Sequence, residues 1–104
     1  MNPRPSRPRP PMKIHDVHDF DARKAARELL RVGFTAVDDI GGQLIDCAQD
    51  ELFDALGFAS DDLDVQVEEI RTDWGPVYVF WDTSRACLGA ARAFVKANRP
   101  PVER

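Results

Sequence analysis

Apolar positions recur along this chain in two rhythms. From Phe20 to Val32 the rhythm is helical. Ala22, Ala25, Ala26, Leu29 and Leu30 form one stripe, and Arg23, Lys24, Arg27 and Arg31 lie mostly off it. Asp19 or Asp21 can cap the start of this helix. Gly33 supplies the left-handed residue that ends it, and Phe34 is then placed to fold back onto Leu29 or Leu30. A second helical stripe, Cys87, Leu88, Ala91, Phe94 and Val95, predicts a last helix over 85–97. Thr83 or Ser84 caps it, and Asn98 with Pro100-Pro101 ends it.

The middle of the chain changes to the alternating rhythm of strands. Thr35–Asp38 and Gln43–Cys47 have strand-like content, and Gly41-Gly42 can take the positive φ of a tight turn, so a β-hairpin is expected there. A short helix over Gln49–Leu56 follows, closed by Gly57. The alternative is one helix running through to Leu56, which would have to absorb two adjacent glycines at ~1 kcal/mol each. Glu28–Phe34 (ELLRVGF) and Glu51–Phe58 (ELFDALGF) then read as one helix-end pattern used twice.

Leu63–Asp82 predicts a second hairpin. Val65 and Val67 alternate with Asp64, Gln66 and Glu68, but Ile70 falls out of phase, which predicts a β-bulge near Glu68-Glu69. Asp73-Trp74-Gly75-Pro76 makes the turn. Val77, Val79 and Trp81 then point one way and Tyr78 and Phe80 the other, the pattern of an interior strand covered on both faces. Lys13–His18 reads as a short strand or an extended lead-in. The resulting order, α-β-β-α-β-β-α, predicts an α+β domain over residues 13–99. It would hold a four-stranded, mostly antiparallel sheet with helices packed on one face. Residues 1–12 form a Pro/Arg-rich tail expected to be disordered, with five of the eight prolines in Met1–Pro11, and residues 100–104 form a short C-terminal tail. Met12 followed by KIHDV also has the pattern of a chain start.

Charge sharpens this picture. The net charge is −4, but the first thirteen residues hold Arg4, Arg7, Arg9 and Lys13 and no acid. From Ala36 to Asp73 there are twelve acids and one base, Arg71. Such a division implies self-repulsion that a partner can relieve. The bases gather instead on the two outer helices, so a basic side and an acidic side are expected. No apolar run approaches the ~18–20 residues of a membrane helix, and proline follows the basic N-terminus where a leader would need an apolar segment, so no membrane partner and a cytoplasmic location are expected. Cys47 and Cys87 sit among apolar neighbours and read as buried small hydrophobes in a reducing compartment.

Candidate chemistry is sparse. His15 and His18 have metal-ligand side chains, but on a strand their spacing turns them to opposite faces, and no further histidine completes a set. Asp61, Asp62 and Asp64 lack the glycine and closing glutamate of a calcium loop. No phosphate-loop, dinucleotide, nucleophile-elbow or CxxC pattern occurs, so no catalytic residue, cofactor or metal is assigned. The function expected is a small, acidic, non-enzymatic protein-binding module. Its partner-binding residues would be Asp61, Asp62, Asp64, Glu68, Glu69, Asp73, Trp74 and Tyr78, with the aromatics as anchors against a basic protein surface. As a class of charge pattern this resembles the small acidic inhibitors of phages and plasmids whose carboxylates stand in for nucleic-acid phosphates. The alternatives are nucleic-acid association through the basic tail and helices, and homodimerisation through an open sheet edge or the aromatic strand face.

Overall fold

The computed structural model describes residues 14–40, 42–57 and 63–99. The expected tails, the Gly41 half of the first turn, and Asp61 and Asp62 lie outside them. The elements run β1 (His15–Asp16), a short 3-10 turn (Val17–Asp19), α1 (Ala22–Val32), β2 (Phe34–Asp38), α2 (Gly42–Leu56), β3 (Val65–Thr72), β4 (Gly75–Asp82) and α3 (Leu88–Ala97). This is an α+β fold with four strands in the order β1-β2-β4-β3. The sheet is mixed: β1 is parallel to β2, and β4 runs antiparallel to both of its neighbours.

The expected first hairpin is replaced by helix. Gly42 is the first residue of α2 rather than an interior one, so it costs the helix little. The turn before it is made by Asp39, at φ 57. Beyond it Leu44, Ile45, Ala48, Leu52, Ala55 and Leu56 form one uninterrupted helical stripe, with Ala48, Leu52 and Leu56 buried. The fourth strand comes instead from His15–Asp16, the short lead-in. The helix-end pattern does repeat, because Gly33 (φ 95) and Gly57 (φ 66) both take positive φ after a helix.

Asp21 caps α1 by accepting from the N–H groups of Arg23 (3.0 Å) and Lys24 (3.4 Å). Phe34 does not fold back on α1. It opens β2 and meets Phe94 of α3 edge-on, with ring centroids 4.6 Å apart. The last helix starts at Leu88, later than expected, because Thr83–Arg85 form a turn anchored on Asp82.

Strand register assigns the two faces. Phe34, Ala36 and Asp38 share one face with Trp81, Val79 and Val77 and with Gln66, Glu68 and Ile70. Thr35 and Val37 share the other with Phe80, Tyr78, Val67 and Glu69. The Phe34–Phe94 contact places α3 on the first face. His15, in register with Val37, bonds Glu28 of α1, which places α1 on the second. Both crossovers, β1-α1-β2 and β2-α2-β3, join parallel strands and step in the same direction along the sheet. Their right-handed preference therefore puts α1 and α2 on one face, where they pack together. Helices thus cover both faces rather than one, and β4 is buried from Val77 to Asp82 except at Tyr78.

The β3–β4 register is continuous from Val65–Asp82 to Thr72–Gly75, so there is no bulge at Glu68-Glu69. The apolar phase changes because Val65 and Val67 face α1 and α2 while Ile70 lies beside Val77 on the α3 face. Each face of this edge strand is covered over a different part of its length.

Candidate functional site

Much of the aromatic hairpin surface expected from the sequence is engaged within the fold. Asp73 receives Arg99 Nη2 at 2.7 Å, and the Arg99 guanidinium lies 5.6 Å from the Trp74 ring centroid. Trp74 is half-buried, and its indole N–H is buried without an acceptor. Tyr78 is half-buried between Val37 and Glu69 in the sheet. Asp64 accepts from Thr83 Oγ1 at 3.2 Å. Glu69 lies 3.9 Å from Arg71 Nε on the same strand, and Glu68 is exposed on the opposite face. The expected set is therefore divided between a clamped end, Asp73 and Trp74, and an open strand, Glu68 and Glu69.

The helix that replaced the first hairpin brings together acids that the sequence reading had separated. Asp46, Asp50 and Asp54 recur every four residues along α2, and all three are exposed, as is Glu51. Successive carboxylates in that row are ~6 Å apart along the helix axis. No base lies on α2, and among the described residues none of these acids has an ion-pair partner. Phe53, 39% exposed, stands beside the row. The neighbouring helix carries the opposite charge, with Arg23, Lys24, Arg27 and Arg31 all exposed on α1. On this face of the sheet the charge division therefore runs between adjacent stripes of one helical layer, and the exposed Arg92 and Lys96 of α3 add bases on the other face. A shallow open depression between these stripes is lined by residues 18–23 and Glu51.

The histidines are separated by role. His15 is buried, with Nε2 3.0 Å from Glu28 Oε1, and His18 is exposed in the 3-10 turn. Among the described residues no group of three His, Cys, Asp or Glu side chains could hold a metal ion. Cys47 and Cys87 are free and exposed, contrary to the buried placement expected: Cys47 falls on the outer face of α2 and Cys87 at the start of α3.

At the upper end of β1 and β2 two carboxylates stand side by side, Asp16 in register with Asp38. Burial raises the Asp38 carboxyl above its ordinary value. Its own N–H pulls it down, Asp16 and Asp39 push it up again, and His15 pulls the other way. Asp38 Oδ1 is buried without a donor. A raised carboxylate pKa means that ionisation penalises the folded state, and the penalty builds as pH climbs past the unfolded value of ~3.9. Asp38→Asn is therefore expected to raise stability by about 0.2–1 kcal/mol at pH 7, the scale of a like-charge cross-strand pair. The gain should fade in urea titrations as pH falls below ~4.

No protein-family model, curated protein or solved structure matches this chain.

Proposed function

We propose that this protein is a non-enzymatic binding module that offers the acidic outer face of α2 to a basic surface on a partner protein. The observation that carries the reading is the composition of that face: Asp46, Asp50, Glu51 and Asp54 are exposed with no base among them and, among the described residues, no ion pair, while Phe53 supplies apolar contact beside them. A row of carboxylates on a rigid helix costs little ordering entropy on binding, and it can occupy a groove built for phosphates. Glu69, on the same face of the sheet as α2, carries the same sign. Asp73 and Trp74, bound to Arg99, belong to the scaffold in this reading and not to the contact. Free exposed thiols at Cys47 and Cys87 suit a reducing, cytoplasmic setting.

The test compares wild type with Asp46→Lys/Asp50→Lys/Asp54→Lys in capture from a cell extract at graded salt. Lysine keeps helix propensity, so the circular dichroism spectrum should be unchanged. The expected result is a basic partner held by wild type, released as salt rises, and bound at least ~10-fold more weakly by the variant. Identical capture by both proteins would sink the proposal. Recovery of nucleic acid instead, through the exposed bases of α1, would favour nucleic-acid association.

A further inference from the structure

The sheet has two edges of unequal character. β1 offers only two residues, whereas β3 offers eight. The hydrogen-bonding phase of β3 is fixed by Thr83 N–H donating to Asp64 O at 3.0 Å. In the continuous ladder that phase turns Gln66, Glu68, Ile70 and Thr72 toward β4, so the N–H and C=O groups of Val65, Val67, Glu69 and Arg71 point outward. The bonds from Asp39 N to Pro76 O and from Asp82 N to Gly33 O give β4 the complementary phase on its other side. Among the described residues no strand pairs with the outer edge of β3. It has neither the proline nor the bulge that commonly blunts such an edge.

We infer that β3 pairs antiparallel with β3 of a second copy of this chain, about a two-fold axis through Ile70. The charges select this register. With the axis at Ile70, Glu69 opposes Arg71 of the second copy and Arg71 opposes its Glu69. These are positions whose backbone groups point outward, so each becomes a hydrogen-bonded pair. Ile70 then meets its own counterpart in the closer, non-hydrogen-bonded geometry, apolar against apolar. Moving the axis one residue sets Glu69 against Glu69 in one direction and Arg71 against Arg71 in the other. Both arrangements put like charges directly opposite each other. The edge is thus self-complementary in the Ile70 register and repulsive in the neighbouring ones.

An independent feature lies on the same flank. Phe53 stands two residues, about 200°, around α2 from Glu51, and Glu51 faces the start of α1 across the shallow depression. Phe53 therefore leaves α2 on the side away from α1, toward β3. It is the most exposed large apolar side chain among the described residues. Pairing of the two edges brings both copies' Phe53 rings to the same side of the joined sheet. The inference concerns β3 and stands whether or not α2 binds a basic partner.

Sedimentation equilibrium of the full chain from micromolar to millimolar concentration tests it. Wild type is expected to approach twice the monomer mass. Glu69→Arg and Arg71→Glu should each weaken association roughly tenfold or more, because each turns both opposed pairs into like charges. Arg71 is 86% exposed and Glu69 37%, so neither change should disturb the monomer, and thermal melts at low concentration verify that. Mixing the two single variants should restore association, since every opposed pair in the mixed dimer is then of unlike sign. A single-chain mass at every concentration would overturn the proposal. So would a dimer indifferent to both substitutions, or variants that do not recover on mixing.

Discussion

Phe80→Ala is expected to lower the unfolding free energy by about 3–5 kcal/mol, the range found when a buried phenylalanine is removed. Phe80 is fully buried in β4, opposite Thr35 on one side and Val67 on the other, and it faces the layer of α1 and α2. Those neighbours are fixed by strand pairing and helix packing, so the vacated space cannot close cheaply. A small domain has roughly 5–15 kcal/mol in hand, and such a loss should shift the melting temperature by on the order of 20 °C. Urea titration should show a lower midpoint with an unchanged slope. Phe53→Ala serves as the contrast: the residue is 39% exposed, and its truncation should cost within about 0.5 kcal/mol of nothing.

That contrast marks where the sequence was legible. Phe80 sits in a run, Val77–Trp81, that is apolar on both faces, and the run alone implies an interior strand with two covers. The structure supplies them, with α3 on the Val79 face and the α1–α2 layer on the Phe80 face. Helix ends were legible for the same local reason, since Gly33 and Gly57 are needed wherever a chain must turn left-handed. What stayed hidden depended on contacts distant in sequence. Residues 43–47 suit a strand by content and a helix by periodicity, and only the shared burial of Ala48, Leu52 and Leu56 decides between the two. The change of phase at Ile70 looks like a bulge until α3 is seen to cover that part of β3's other face.

The candidate site followed the same division. Its acidity could be read from composition, but its geometry could not. Dividing residues 43–56 between a strand and a short helix separated Asp46 from Asp50 and Asp54, which α2 sets in one row. Arg99, reaching back from beyond the last helix, took Asp73 and Trp74 out of the free surface, and no local pattern announces such a contact. One acid was misjudged in the other direction. Asp82 appeared as the end of a strand, and it is the residue that joins β3, β4 and the turn into α3.

Asp82→Ala is accordingly expected to destabilise the fold by about 2–3 kcal/mol, the upper part of the range for hydrogen bonds to a charged group. Only 1% of Asp82 is exposed. Its Oδ1 accepts from the N–H of Ser84 at 3.1 Å and the hydroxyl of Ser84 at 2.9 Å, with the N–H of Asp64 farther off at 3.5 Å. Burial alone would raise this carboxyl. The Ser84 backbone and hydroxyl, the Asp64 N–H and the nearby charge of Arg85 together outweigh burial and hold it below its ordinary value. The sign of the pH dependence follows. A depressed folded pKa gives stability that is complete above the unfolded value of ~3.9 and lost as pH falls through the folded value. Asp82→Asn keeps the shape and removes the charge, so its deficit against wild type should hold steady from pH 7 to about 5 and close below about 4. Asp82→Ala should keep part of its deficit even there, because it removes at every pH the oxygen that ties Ser84 and Asp64 to the end of β4. Urea midpoints of the three proteins at pH 7, 5 and 3 separate the contribution of the charge from that of the oxygen.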